Sequence, residues 1–400
     1  MASQTLRPKV AVIAPTSRTG GAELSMLQII QRCREQYEFH LIVPGDGPFA
    51  VRARAIGASV SYLPWPRRFG EVGERNKKLA PATVLWAAFV VPALVWRLRR
   101  LLCKINPDVV ITNGLKAHMI GSFAVTKRRS RLIWYLREGL EGRSFGVKIL
   151  RALKFRCDSQ IAISEYVAQD ASSILGLKQA AIQVAYNIVD LSEFRPGVPR
   201  SVDLPKKVQG EVWFGVVGAL TPLKGQDLFL NAAEEVLKYV PNCRFLIVGS
   251  NFYETEGNDY EQKLKHLAES PSLHSRVHFL GFREDIPSVM AALDVVVQCN
   301  RGPEGLGRSV LEAMACGVPV LAVDKWGPAE LIQDGHTGLL FPHMNTVEFA
   351  RQMIRLALEA PLRKTLAANA LQWIGANLEP QLLADKVSAV IRAQLNNARS

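Results

Sequence analysis

Residues 304–319 read Glu304-Gly305-Leu306-Gly307-Arg308-Ser309-Val310-Leu311-Glu312-Ala313-Met314-Ala315-Cys316-Gly317-Val318-Pro319. The glycines predict a tight loop, and the residues that follow predict a helix over 307–316. Backbone N–H groups at a helix start can hold an anion, and glycines let a phosphate approach closely. Glu312 falls inside the helix, about one turn from its start, whereas Glu304 precedes the loop.

These features suit an extended ligand with phosphate in the middle and hydroxyl-bearing groups at both ends. A nucleotide-diphosphate sugar has this layout. Two carboxylates at this spacing would alone mean little, because such pairs occur on many solvated helices. The surrounding glycines make the pattern specific.

The segment resembles the signature of retaining glycosyltransferases with the GT-B fold, in the group called family 4 or group 1. Glu304 and Glu312 fill its two acidic positions, and residues 312–319 fill its Glu-Ala-Met-Ala-x-Gly-x-Pro continuation. Residues 327–340 also fit the family pattern. The resemblance implies an α/β chain of two Rossmann-like domains, with parallel sheets facing across a cleft.

The length of 400 residues exceeds one ordinary core and predicts two domains. The proline- and glycine-containing stretch 196–201 is the candidate linker. We expect an N-terminal acceptor-binding domain over 1–195 and a nucleotide-sugar-binding domain over 202–377. The resemblance implies that the C-terminal helix, in 378–400, packs back on the first domain.

Apolar runs alternate with helical patterns in both halves, which argues for parallel sheets. The predicted strands cover 10–14, 39–43, 59–63, 108–112, 131–136, 159–163, 181–185, 212–218, 243–248, 276–280, 294–298, 319–322 and 337–341. The predicted helices include 22–35, 115–128, 165–175, 225–238, 259–269, 285–292, 307–316, 345–359 and 380–396.

The formal net charge of +13 arises wholly in residues 1–200, since residues 201–400 hold slightly more acidic than basic side chains. Such asymmetry predicts an anionic partner for the first half. No nucleic-acid motif is visible, so we expect no nucleic acid and favour an anionic membrane or a lipid-linked phosphate. A merely soluble basic surface is the alternative.

Residues 80–96 are uncharged and mostly apolar, contain Trp86 and Trp96, and lead into Arg97-Leu98-Arg99-Arg100. Together with the basic stretch upstream, this predicts peripheral contact with an anionic membrane through residues 67–100. A buried domain helix is an equal alternative. Full spanning is disfavoured, because the stretch is short and Pro92 interrupts it.

The six cysteines are scattered, without a Cys-x-x-Cys pair or a histidine cluster. This usage indicates reduced thiols in a cytoplasmic protein, with the inner face of the plasma membrane as a further expected location. No apolar signal segment precedes the first strand. No Asp-x-Asp motif occurs, so we predict no metal and no cofactor apart from the nucleotide-sugar substrate.

Residues 216–227 resemble the family's donor-phosphate loop, in which Gly218 approaches the donor and Lys224 matches the phosphate-binding lysine. A cation here would stabilise charge on the leaving diphosphate. Ala219 stands where many members carry arginine. Either Lys224 acts alone, therefore, or another basic residue replaces that arginine.

Two further loops resemble donor-binding segments of the family. Gly20 and Gly21, between the first strand and the first helix, would let the backbone approach the donor. Glu23 beside them is expected to be a first-turn acid rather than a catalyst. Arg283 lies in a loop resembling the one that receives the nucleobase through main-chain groups.

Many family members place a catalytic histidine after the strand that here reads 132–136. This chain has Arg137-Glu138 instead, which resembles a variant in some polysaccharide transferases. His118 is the other candidate, because it follows the strand ending at Thr112, and ligands gather at such edges. A structural role for His118 is equally expected.

The resemblance thus implies a retaining transferase that moves a sugar to a saccharide or lipid-linked acceptor in cell-surface polysaccharide, lipopolysaccharide or glycolipid synthesis. Glu304 would hold the sugar, Glu312 the ribose diol, and Lys224 with the amides of Gly305, Leu306 and Gly307 the diphosphate. The alternatives are a sugar-nucleotide epimerase, and a non-catalytic nucleotide-sugar-binding or membrane-scaffold protein.

Overall fold

A computed structural model of the chain describes residues 7–66, 81–126, 129–251 and 257–399. It divides into two compact units. The first unit comprises Met1–Ile188 and Pro380–Ser400, and the second comprises Val189–Glu379. Each unit is built on a parallel sheet covered by helices, which confirms the predicted α/β class.

The first unit contains a seven-stranded parallel sheet with the order β3-β2-β1-β4-β5-β6-β7. Its strands are β1 Lys9–Ile13, β2 Glu38–Val43, β3 Ser59–Tyr62, β4 Val109–Asn113, β5 Arg131–Leu136, β6 Ser159–Ala162 and β7 Ile182–Val184. The strand order reverses between β1 and β4, which brings the carboxyl ends of these two strands side by side. Side chains that follow them therefore lie at a position where ligands of such sheets bind.

The helices of the first unit are α1 Gly21–Cys33, α2 Pro48–Ala55, α3 Pro81–Ile105, α4 Leu115–Ala124, α5 Ser144–Leu153, α6 Glu165–Leu175 and α14 Pro380–Arg399. The last of these belongs to the first unit because it packs against α1. Tyr37 Oη and Ser388 Oγ are 2.9 Å apart, and the Cys33 thiol contacts the Ala384 carbonyl at 3.8 Å.

Helix α3 presents a buried side and an exposed side. Leu94, Leu98 and Leu102 recur every four residues and are at most 7% exposed, so they anchor the helix to the unit. Phe89 is 75% exposed and Trp96 is 56% exposed. The basic stretch upstream of this helix, at 67–78, lies outside the described residues.

Several of the basic side chains in the first unit donate hydrogen bonds to carbonyl groups at the ends of helices. Arg156 donates to the carbonyls of Ser122 at 2.5 Å and Val125 at 3.1 Å, at the end of α4. Arg151 and Lys154 donate to carbonyls at the end of α6. The last carbonyls of a helix lack intrahelical partners and carry partial negative charge. Part of the basic excess is therefore structural.

The second unit contains a six-stranded parallel sheet with the order β10-β9-β8-β11-β12-β13. Its strands are β8 Val212–Val217, β9 Cys243–Val248, β10 Val277–Gly281, β11 Val295–Gln298, β12 Val320–Val323 and β13 Leu339–Phe341. Its helices are α7 Gln226–Tyr239, α8 Gly257–Ala268, α9 Ile286–Met290, α10 Arg308–Ala315, α11 Trp326–Leu331, α12 Thr346–Leu358 and α13 Ala360–Asn377. The order again reverses between β8 and β11, and the loops after these two strands carry Lys224 and Glu304.

Candidate active site

The loop after β8 places Lys224 at the carboxyl edge of the second sheet. A short 3-10 turn, Pro222–Lys224, leads into α7. Gly225 has a φ of 73°, and a Cβ there would lie 2.1 Å from the Cys299 carbonyl oxygen. Only glycine permits this approach, so the turn rests directly on the segment after β11. Gly218 faces the stem of Lys224, since a Cβ on it would lie 3.8 Å from Lys224 Cε.

This packing brings Lys224 against Glu304. The Lys224 ammonium and the Glu304 carboxylate form an ion pair. Asn300 Nδ2 donates to Glu304 Oε2 at 3.1 Å, and the Gly307 backbone amide bonds to the same carboxylate. Burial alone would raise the pKa of Glu304, but the Lys224 charge and these donors outweigh it, so the pKa is lowered. Glu304 is therefore ionised at neutral pH.

The glycine-rich loop between Glu304 and α10 is buried. Leu306 is 1% exposed, so its side chain belongs to the core and only its backbone could meet a ligand. Gly307 takes a φ of 88° immediately before α10. The Gly327 amide donates to the Glu304 carbonyl at 3.1 Å, which holds the loop against the start of α11.

Glu312 lies inside α10, as predicted, and is 7% exposed. Arg308, the first residue of that helix, donates from Nε to Glu312 Oε1 at 2.5 Å. Each of the two acids of the signature is thus engaged by a cation of the same unit. A ligand that binds through these acids has to compete with Lys224 at one and with Arg308 at the other.

In the loop after β10, the Arg283 side chain is bound by other side chains of the second unit. The guanidinium binds both oxygens of Asp285 at 2.7 Å and also donates to Ser201 Oγ at 2.7 Å. The Arg283 side chain is thus occupied by Asp285 of its own loop and by Ser201 from a distant segment of the same unit.

In the first unit, Gly20 directly precedes α1 and Gly21 begins it. The Gly20 amide donates to Glu23 Oε2 at 3.0 Å. Glu23 is 9% exposed, and its pKa is raised because burial outweighs these backbone donors and the charge of Arg137. The Glu23 carboxylate is thus bonded to Gly20 and lies within electrostatic reach of Arg137.

Arg137 follows β5 and is held on several sides. Nε donates to Asn113 Oδ1 at 2.6 Å, and Nη1 donates to Asn187 Oδ1 at 2.9 Å. Its guanidinium also lies 3.7 Å from the centre of the Tyr135 ring. Glu138 is more accessible, at 38% side-chain exposure, and forms a 2.5 Å ion pair with Arg143.

His118 lies inside the core of the first unit. It is 1% exposed. Its Nδ1 is 2.7 Å from Thr112 Oγ1, and its ring stacks on Trp134 with centres 5.6 Å apart. Burial, aided by the Arg137 charge, lowers the pKa of His118 to about 3. A neutral, enclosed ring has no route to a substrate, so we infer a structural role.

Replacing His118 by alanine should therefore lower stability by about 2–4 kcal/mol through cavity formation, while turnover per folded molecule stays within about threefold of wild type. In the unfolded state histidine protonates near pH 6.5, whereas native His118 resists protonation until about pH 3. Wild-type stability should thus fall as the pH drops through this window, and the variant should decline less steeply. Chemical denaturation from pH 4 to 8 measures how the free energy of unfolding changes with pH in both proteins. Unchanged stability of the variant together with lost turnover would instead indicate that His118 is catalytic.

Neither a candidate metal site nor a candidate membrane span occurs among the described residues. No group of three or more His, Cys, Asp and Glu side chains there could hold a metal ion. None of the helices in the described ranges is both long and apolar enough to cross a membrane.

Comparison with known families matches both halves of the chain. Residues 19–193 match the model "Glycosyltransferase Family 4", and residues 204–373 match the model "Glycosyl transferases group 1". The chain belongs to the family 4, group 1 glycosyltransferases.

The sequence is also similar, among others, to two bacterial proteins. Spore coat protein SA of Bacillus subtilis is 24% identical over 58% of the chain and 63% of its own length. A GDP-mannose-dependent alpha-(1-6)-phosphatidylinositol monomannoside mannosyltransferase of Mycobacterium tuberculosis is 28% identical over 61% and 64%, respectively. The chain thus spans slightly less than two thirds of each relative.

The similarity in fold covers more of the chain than the similarity in sequence does. Anabaena Alr3699/HepE, solved in complex with UDP and glucose, has a TM-score of 0.80 at 23% identity, covering 97% of this chain and all of that one. The family 4 chain therefore has the GT-B fold.

Sequence reasoning missed the amide side chains that hold the candidate site residues. Asn113 ends the buried strand β4 and binds Arg137, and Asn300 follows the buried strand β11 and binds Glu304. The available signal was a polar residue directly after an apolar run, at the carboxyl end of a strand.

Proposed function

We propose that the chain is a retaining glycosyltransferase that moves a sugar from a nucleotide-diphosphate sugar to a saccharide or lipid-linked acceptor. The observation that carries this proposal is the ion pair of Lys224 and Glu304 at the mouth of the Gly305–Gly307 loop. It places a cation, an ionised acid and a helix start together, which suits a diphosphate bonded to a sugar.

In the proposed complex, the diphosphate binds Lys224 and the amides of the Gly305–Gly307 loop. It thereby takes the place of Glu304 on Lys224, and the released carboxylate holds the sugar hydroxyls. Glu312 accepts hydrogen bonds from the ribose diol after exchanging its contact with Arg308. The loop around Arg283 receives the base through main-chain groups. Gly20 and Gly21 are the proposed donor contacts of the first unit.

The proposed reaction keeps the configuration of the sugar. The bond between the anomeric carbon and the phosphate oxygen breaks, and a bond from the acceptor oxygen forms on the same face. The departing phosphate oxygen takes the acceptor proton, so no protein nucleophile is needed. Lys224 stabilises the charge that develops on the diphosphate, and Glu304 favours the cation-like sugar. No metal or resident cofactor takes part in this proposal.

The first unit is the proposed acceptor side. Glu138 is the more accessible of the two residues that replace the family's histidine, and Arg137 is held rigidly beside it by two asparagines. We assign Glu138 a contact to the acceptor, and we assign Arg137 the role of a fixed positive charge beside it. The acceptor class, and a role in cell-surface polysaccharide, lipopolysaccharide or glycolipid synthesis, remain parts of this proposal.

A donor screen tests the function. Thermal unfolding is measured with UDP-, GDP- and ADP-sugars, including GDP-mannose because one relative depends on it. The donor with the largest shift is then incubated with saccharide and lipid-linked acceptors, and the product anomer is read by NMR. A new glycoside with retained configuration is expected. An altered sugar nucleotide formed without acceptor would indicate an epimerase, and no shift with any donor would contradict the enzyme proposal.

We further propose a cytoplasmic enzyme that contacts an anionic membrane through the exposed side of α3. Phe89 and Trp96 project from this side, and Arg100 lies 4.7 Å from the centre of the Trp96 ring. No acidic residue occurs in α3. Exposed aromatics beside arginines suit the boundary between lipid headgroups and acyl chains.

Replacing Phe89 and Trp96 together by serine should lower binding to phosphatidylglycerol vesicles at least about tenfold, because two apolar anchors are lost. Vesicle co-sedimentation measures this. The matched control replaces Tyr239 and Val347 by serine, which are 64% and 79% exposed in the second unit. Equal binding of wild type and the α3 variant, or equal binding to purely zwitterionic vesicles, would contradict the proposal.

A further inference from the structure

A chain of side-chain hydrogen bonds joins the start of α10 to Glu304. Ser309 Oγ donates to Gln298 Oε1 at 2.8 Å. Gln298 Nε2 donates to Asn300 Oδ1 at 2.7 Å, and Asn300 Nδ2 donates to Glu304 Oε2 at 3.1 Å. Gln298 and Asn300 are each 3% exposed. Buried amides of this kind are costly to leave without partners, so the arrangement is strongly specified.

The direction of every bond in this chain follows from the charge of Glu304. A carboxylate can only accept, so Asn300 must present its NH₂ group to it. The Asn300 oxygen then faces Gln298, which must present its own NH₂ group. The Gln298 oxygen in turn faces Ser309, whose hydroxyl must donate. Three dipoles thus point the same way and end on the negative charge, where they reinforce one another.

The same bonds tie the glycine-rich loop at both ends. Glu304 and Ser309 bracket residues 305–308, and both are connected through the amides of Gln298 and Asn300 to the end of β11. Cys299, between the two amides, contacts the other loop of the site, with its Sγ 3.2 Å from the Gly225 carbonyl. The end of β11 therefore anchors the loops that carry Lys224 and Glu304.

We propose that Ser309, Gln298 and Asn300 form a positioning relay that fixes the Glu304 carboxylate and the shape of the loop that precedes α10. The proposal deepens the proposed function, on which it rests, by naming the residues that orient the acid holding the sugar. The relay matters most once a diphosphate has taken Lys224 from Glu304. Asn300 then remains as a side-chain donor that keeps the Glu304 carboxylate ionised and oriented toward the sugar.

The direct test measures the titration of Glu304 without any substrate. Carbon-13 NMR follows the glutamate carboxyl carbons against pH, and the Glu304→Gln variant assigns the resonance. Asn300→Asp keeps the shape of the side chain but removes the donor and adds a negative charge. The pKa of Glu304 should rise, because a hydrogen-bond donor is lost and a like charge is added beside it. Asn231→Asp, the same change at an exposed position of α7, should leave it unchanged.

The second test uses the far end of the relay, which does not touch Glu304. Ser309→Ala removes the hydroxyl donor, and Ser309→Thr restores it. With the sugar nucleotide that the donor screen identifies, Ser309→Ala should lower kcat about 10- to 100-fold through misplacement of the acid, with a smaller change in KM. The acid limb of its pH–rate profile should move to higher pH. Ser309→Thr should recover most of the loss.

These readouts separate the relay from the proposed function. A raised pKa of Glu304 in the Asn300 and Ser309→Ala variants, without turnover of any sugar nucleotide, would support the relay and refute the function. An unchanged pKa in both variants would refute the relay even if transfer occurs. If Asn300→Asp does not fold, the Ser309→Ala and Ser309→Thr pair decides by the same titration, since a merely structural serine would change stability without moving the Glu304 pKa.

Discussion

Replacing Lys224 by alanine is expected to lower the rate of sugar transfer about 10²- to 10³-fold, because the leaving diphosphate loses its main stabilising cation. Lys224 is also the largest of the influences that lower the pKa of Glu304. Without it, burial should raise that pKa, so the acid limb of the pH–rate profile should move to higher pH. Initial-rate kinetics from pH 5 to 9 measures both effects.

Lys238 provides the matched control for this substitution. It also forms an ion pair, with Glu235, but lies on the exposed surface of α7. Lys238→Ala should leave the rate and the pH profile unchanged, since exposed pairs contribute little. Equal rates for wild type and Lys224→Ala would show that Lys224 takes no part in the mechanism.

Replacing Gly327 by alanine is expected to weaken nucleotide binding strongly. A Cβ at this position would lie 2.2 Å from the Gly305 carbonyl oxygen and 2.4 Å from Leu306 Cα. Both atoms belong to the backbone, so the glycine-rich loop has to move. We expect affinity for UDP and GDP to fall at least about 100-fold and the second unit to lose about 1–3 kcal/mol of stability. Isothermal titration calorimetry and thermal unfolding measure the two effects.

Gly375 provides the matched control, because an alanine side chain there has room. It lies within α13, and apart from the neighbouring backbone of that helix no heavy atom of the described residues is within 4 Å of a Cβ built there. Gly375→Ala should retain full nucleotide affinity and gain about 0.5–1 kcal/mol of stability, because alanine favours helix. If Gly327→Ala binds nucleotides as tightly as Gly375→Ala, the loop next to Gly327 is not the phosphate site.

The sequence predicted the α/β class because local patterns encode it. Apolar runs such as Val10–Ala14 and Val109–Ile111 alternate with amphipathic segments, and the structure buries both runs completely. The predicted helix at 307–316 is confirmed as α10, and its preceding glycines do adopt a tight loop. These features depend on residues close in the chain, which periodicity and turn chemistry describe well.

Contacts between distant segments could not be predicted in the same way. Lys224 and Glu304 are 80 residues apart, and their ion pair exists because β8 and β11 are neighbours in the sheet. Residues 81–96 of helix α3 are uncharged and mostly apolar, so the sequence could not decide which apolar side chains of the helix face the core. Packing buries Leu98 and leaves Trp96 exposed. His118 follows a strand end, like a ligand residue, yet packing turns it onto Trp134.

A crystal structure with bound UDP or GDP, whichever binds more tightly, tests the central claim most directly. We predict phosphate oxygens within hydrogen-bond distance of Lys224 Nζ and of the amides of the Gly305–Gly307 loop, with the Glu304 carboxylate displaced from the lysine. A nucleotide bound elsewhere, with the ion pair of Lys224 and Glu304 intact, would contradict the account.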